Sequence, residues 1–151
     1  MPQNASFVQT NKAFSWETND IFDFSAIKIR DINGFSQANR MEIANIKSFA
    51  QLNVNWDGYD AAPISPIAIE KAIHFIHEIN KYDIDAYLSS PGPNGEVMVQ
   101  LKTNNREIEF VFYEEKSKYV LFSSKGFESQ GDYSPAILND LVTWLSENEE
   151  R

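Results

Sequence analysis

The 151-residue chain contains no cysteine. That absence excludes disulfide staples, thiolate nucleophiles and every zinc site built on Cys. The fold must be held by its core, and a single domain of this size buries roughly 68–70% of its unfolded surface without staples. The lack of thiols also fits a reducing compartment. Histidine is nearly as scarce: His74 and His77 are the only two. Any Ser-His or histidine-based metal chemistry would have to run through that pair. No stretch approaches about 18 consecutive apolar residues, so no membrane-spanning helix is expected. The start, MPQNASFVQTNKAFSW, has no basic segment followed by an apolar one and does not read as a secretory signal. The expectation is a soluble cytoplasmic protein.

Basic residues are few as well. Thirteen Lys and Arg stand against 22 Asp and Glu, a net charge of −9. An acidic surface repels phosphate backbones, which disfavours direct nucleic-acid binding. It keeps a protein soluble, and it attracts a basic partner. The chain also lacks a P-loop, a Gly-x-Gly-x-x-Gly fingerprint and a Gly-x-Ser-x-Gly elbow. No cofactor and no metal are expected.

What is present is a folding composition, 42% hydrophobic and 13% aromatic. Residues 1–20 show neither the helical nor the strand period and read as an extended, loosely ordered arm. Within residues 20–32, Ile27 and Ile29 alternate with Lys28 and Arg30, a short strand pattern. Residues 36–52 read as a helix capped by Ser36, with Met41, Ala44, Phe49 and Leu52 toward the core. A second helix over 66–80 is the clearest element. Ser65 suits its cap, Pro66 its first position, and Ile64 with Ile69 a hydrophobic staple. Ile69, Ala72, Ile73, Ile76 and Ile79 share one face at helical spacing.

The period then changes to two. Strands are expected over 84–89, 96–102, 107–115 and 119–124, joined by short turns such as SPGPNG. Short turns require antiparallel neighbours. The last helix repeats the earlier start, with Ser134 as cap, Pro135 next and Tyr133 facing Leu138. The expected fold is a single α+β domain in two layers over residues 21–147. Its order is helix, helix, an antiparallel meander of three or four strands, then helix, with residues 148–151 as a frayed tail.

Chemistry-bearing residues concentrate in NWDGYD. Asn55, Asp57 and Asp60 surround Gly58, and clustered oxygens before a glycine can hold Ca²⁺. A calcium loop of the EF-hand type spans about 12 residues and ends in Glu, whereas this one runs into AAPIS. The same residues suit an Asx turn, with Asn55 or Asp57 bonding nearby N–H groups and Trp56 packed inward. Two other candidates are weaker. His74 and His77 lie at i, i+3 on the exposed side of the second helix with Glu70 one turn earlier, but no third ligand is evident. Glu107 and Glu109 alternate on one strand face, where a carboxyl pair could act as acid and base. Such a pair also marks the solvent side of a half-buried sheet.

The segment NWDGYDAAPISPIAIEKAIHFI, followed by PGPNGEVMVQLK, resembles a family of small bacterial proteins without an assigned activity. That family carries Asn-Trp-Asp-Gly-x-x-Ala, then Pro-Ile-Ser-Pro and a helix, then a Gly turn and strands. The resemblance covers residues 52–122 and implies a bacterial or phage source and a shared fold. It brings no catalytic residue. Asn94 stands where Asp would be expected, and Lys102 where an aromatic is frequent.

The leading functional expectation is a non-enzymatic acidic protein that binds a protein partner of basic character, an antitoxin-like or immunity-like inhibitor. The binding residues expected are Asn55, Trp56, Asp57, Gly58, Tyr59 and Asp60. A small hydrolase or ligand-binding enzyme at the same loop is the alternative, with Asp57 or Asp60 as base or metal ligand and Trp56 or Tyr59 lining its pocket. A third reading is a self-associating structural protein that pairs sheet edges in a homodimer.

Overall fold

Local chemistry starts the second helix. Ser65 sits at φ −63°, ψ 127°, and its hydroxyl accepts the N–H groups of Ile67 and Ala68 at 3.2 Å each. Pro66 begins the helix where no N–H is needed. A computed structural model of the protein describes residues 34–147. The expected arm over 1–20, the strand pattern within 20–32 and the tail at 148–151 lie outside the described residues.

The chain divides into two compact units, Met1–Arg40 and Met41–Arg151. The described part of the first is the start of helix α1 (Gln37–Ser48), whose remaining residues belong to the second; there Ser36 is the cap, its hydroxyl accepting the Asn39 N–H at 3.1 Å and its carbonyl that of Arg40 at 3.0 Å. The second unit continues with a 3-10 turn (Phe49–Gln51), α2 (Pro66–Lys81), strands β1 (Leu88–Pro91), β2 (Val97–Lys102), β3 (Arg106–Phe112), β4 (Ser117–Ser123) and β5 (Gly126–Asp132). It ends in a 3-10 turn (Pro135–Ile137) and α3 (Leu138–Ser146). This is an α+β fold with helices before and after a meander. The sheet order is β1-β2-β3-β4-β5 and every neighbouring pair is antiparallel.

The register aligns the apolar residues. Val97 faces Phe112, Val99 faces Phe110 and Leu101 faces Ile108. These six are buried, and the alternation along each strand puts them on one face. Ala68, Ala72, Phe75, Ile76 and Ile79 of α2 and Leu138, Leu141 and Leu145 of α3 join them in one core. Phe75 is central, with its ring 4.3 Å from Phe110 and 5.3 Å from Phe112.

Four expectations are corrected. In α1, Met41 is 62% exposed and Ala44 is exposed, while Ile46 and Phe49 are buried. The larger side chains of the Ile43, Ile46, Phe49 stripe take the inward face. The first strand starts at Leu88 rather than 84, and Ile84 lies in the connection where its N–H bonds the Ile79 carbonyl. The sheet gains a strand, β5, that has no apolar alternation and joins β4 through backbone pairing. Finally, Ser134 gives no side-chain cap, and the chain enters α3 through a 3-10 turn.

Candidate functional site

The residues 54–62 fold on themselves. One oxygen of Asp57 accepts two backbone N–H groups, from Tyr59 at 2.8 Å and Ala61 at 3.1 Å. The Asn55 side-chain oxygen accepts the Asp60 N–H at 2.7 Å, and the Asn55 N–H bonds the Ala61 carbonyl at 2.6 Å. Gly58 donates to the Asn55 carbonyl at 3.1 Å. The bonds to Asp57 and to the Asn55 side chain are Asx-type contacts, in which a short polar side chain replaces a backbone partner, and the other two are backbone turn bonds. They force left-handed backbone at Asn55 (φ 62°), Gly58 (φ 80°) and Asp60 (φ 70°). Asn, Gly and Asp are the residues that accept this region with the least strain, which explains why this composition recurs within so few positions.

Trp56 anchors the loop. Its indole N–H donates to the Ala62 carbonyl at 2.7 Å, and its ring packs against the core. The loop is also pinned to the turn between β1 and β2. Ala62 donates to the Pro93 carbonyl at 2.8 Å and Ser65 to the Gly95 carbonyl at 2.9 Å. Gly95 has φ +89°, and a Cβ there would lie 3.1 Å from the Pro63 carbonyl. NWDGYDAAP and PGPNG, some 30 positions apart in sequence, therefore form one structural unit.

With its backbone groups engaged, this unit turns Tyr59 outward, 87% exposed. Asp60 is exposed beside it. All six expected site residues thus come together, but Asn55, Trp56, Asp57 and Gly58 build the loop, and Tyr59 and Asp60 are what it presents.

The other sequence candidates separate from this loop. His74 and His77 are exposed on α2. Partial burial, and then the neighbouring His74, hold the His77 imidazole below its ordinary pKa. Among the described residues no group of three or more His, Cys, Asp or Glu side chains could hold a metal ion. Glu107 and Glu109 do share a face of β3. Burial first, and then the Glu107 carboxylate, push the Glu109 carboxyl above its usual range. Gln100 donates its amide to Glu107 from across the β2–β3 pair.

One polar cluster was not legible in advance. Ser89 of β1 is buried; its hydroxyl donates to Glu42 at 2.5 Å and accepts from Asn45 at 3.0 Å. It ties α1 residues to the sheet edge, and no local pattern announces a contact made at such sequence separation. No family model, curated protein or solved structure matches the chain.

Proposed function

We propose that this is a non-enzymatic, cytoplasmic binding protein for a basic protein partner, an inhibitor of the antitoxin or immunity type. Residues 55–60 form its contact. The supporting observation is Tyr59, 87% exposed on a loop whose neighbouring N–H groups are already bonded. A large amphipathic ring held out by a fixed backbone loses little entropy on docking, and tyrosine is enriched among residues that dominate interfaces. Asp57 and Asp60 flank it, and the chain carries a net −9, so the approach of a basic surface is favoured.

The hydrolase alternative has less support, because Asp57 is held in place as an acceptor for the Tyr59 and Ala61 N–H groups, which leaves one of its oxygens to act. Self-association has one favouring observation: β5 ends the sheet and carries Phe127, 60% exposed. Sedimentation of the purified protein at micromolar concentration tests it, and a monomer removes that reading.

The binding proposal is tested by affinity purification of the tagged protein from its native host with mass spectrometry. The expected result is a stoichiometric basic protein that is recovered with the wild type and lost with Tyr59→Ala, although Tyr59→Ala unfolds at the same temperature as the wild type. Recovery of no stoichiometric partner across several growth conditions, or a partner indifferent to Tyr59→Ala, overturns it.

A further inference from the structure

Away from the loop, α2 borders a cavity of about 460 Å³. Its floor is aromatic. Phe75, Phe112 and Tyr133 meet there, with Tyr133 edge-on to Phe75 at 5.7 Å and to Phe112 at 6.2 Å. Its lip is a row on α2: Glu70, His74 and Glu78, spaced one turn apart. Glu70 has no ion-pair partner among the described residues, and Glu78 has only the exposed Lys81 at 3.3 Å. Lys71 is the cation lining the cavity. Its ammonium is occupied by the carbonyl oxygens of Tyr113 and Glu114, at 2.9 and 3.0 Å. Burial, and then the Glu78 carboxylate, push the Tyr133 hydroxyl up to about 12, so that ring stays neutral near pH 7.

We infer that this cleft receives an arginine or lysine side chain from the protein partner. The inference rests on the basic-partner reading and adds a second contact to it. Three features select that ligand. The aromatic floor suits a methylene stem, which long basic side chains bury while keeping the charge at the rim. Tyr133 is the partly exposed ring of the floor, and an aromatic ring attracts a cation. The carboxylates at the lip can take charge-assisted hydrogen bonds from a guanidinium or ammonium. A bare metal ion fits poorly. Glu70 and Glu78 are eight residues apart, about 12 Å along the helix axis, and a hard cation needs several oxygens within one shell. An anionic ligand would face two carboxylates, while the single ammonium is already engaged.

The test is an NMR titration of the full ¹⁵N-labelled chain with a blocked tetra-arginine peptide at low salt. The neutral isostere tetra-citrulline serves as control. The expected result is saturable shifts at amides of α2 from Ile67 to Glu78, at Ser117 and at Tyr133, with none from tetra-citrulline. Glu70→Gln should weaken binding by about three- to tenfold. Glu128→Gln on β5, which removes the same charge elsewhere, should change it by less than about twofold. Both residues are exposed, so both variants are expected to keep the wild-type amide dispersion. Equal weakening by the two variants, or shifts centred around Tyr59 and Asp60, overturns the cleft assignment and leaves the basic-partner reading standing. No binding of tetra-arginine anywhere on the chain overturns both.

Discussion

Replacing Asp57 by alanine removes the oxygen that bonds Tyr59 and Ala61. The perturbation resembles loss of a helix cap, since one side-chain acceptor serves backbone donors that have no other partner in the loop. Such losses cost about 1 kcal/mol, with a range of roughly 0.5–2. Here two donors depend on one carboxylate, and the Ala61 N–H is partly buried, so about 1–2 kcal/mol is expected. In a domain of this size that lowers Tm by about 2–8 °C. Asp57→Asn keeps an oxygen in the same place and loses only the charge, so less than half the effect should appear. Thermal unfolding followed by circular dichroism measures both. Amide exchange at Tyr59 and Ala61 supplies the local reading, with protection lost in Asp57→Ala and largely kept in Asp57→Asn. An Asp57→Ala variant with unchanged Tm and a still-protected Ala61 amide would refute the structural role assigned to this carboxylate. It would return Asp57 to the list of residues available for chemistry.

Gly95→Ala should destabilise more than Gly58→Ala. Both have positive φ, which costs an L-residue about 1–2 kcal/mol, but only at Gly95 does the new Cβ meet a backbone oxygen, that of Pro63 at 3.1 Å. Urea midpoints compare them, and equal losses would contradict the docking of the two turns. Phe110→Ala should cost about 3–5 kcal/mol, because it empties the space beside Phe75 and Tyr133; a loss below about 1 kcal/mol would contradict the central place of that ring. Glu109→Gln should raise stability at pH 7. The folded pKa of Glu109 lies above its ordinary 4.5, so folding gains from its protonated form below that value and loses that gain as pH rises through the folded pKa. The gain from glutamine should therefore vanish below pH 4.5, and melting at pH 4 and pH 7 tests the sign.

The second helix was legible because its determinants are local. Ser65, Pro66 and the Ile64–Ile69 spacing act within one turn of each other, and the hydroxyl bonds follow. The same Ser-Pro letters at 134–135 do not repeat the cap. There the chain leaves β5 only two residues earlier, the Tyr133 N–H is tied to the Ser117 carbonyl, and the Tyr133 ring is locked among Phe75, Phe110 and Phe112. Tertiary packing fixes the entry angle, so Ser134 stays extended at φ −142° and its oxygen accepts nothing. The strand GFESQGD was hidden for a related reason. Only its backbone is needed by β4, its residues are almost all exposed, and period-two hydrophobicity cannot mark a strand that buries no face. At the candidate site, the Asx chemistry was readable from residue type. The union of the loop with the β1–β2 turn was not, because it depends on the bonds from Ala62 to Pro93 and from Ser65 to Gly95.

That union changes what the loop's internal bonds mean. Taken alone, an aspartate with one oxygen bonded to two backbone donors argues for a structural role. Yet a loop that only had to enter a helix could stop at Ile64 and Ser65, which already supply the staple and the cap. Left-handed backbone at three positions, an indole anchored on a carbonyl and a second turn packed beneath are additional ordering, and each costs conformational entropy. What the ordering achieves on the surface is one outward tyrosine beside an exposed aspartate. Rigid presentation lowers the entropy lost when a partner docks, so the bonds that fix Asp57 in the loop support binding by Tyr59.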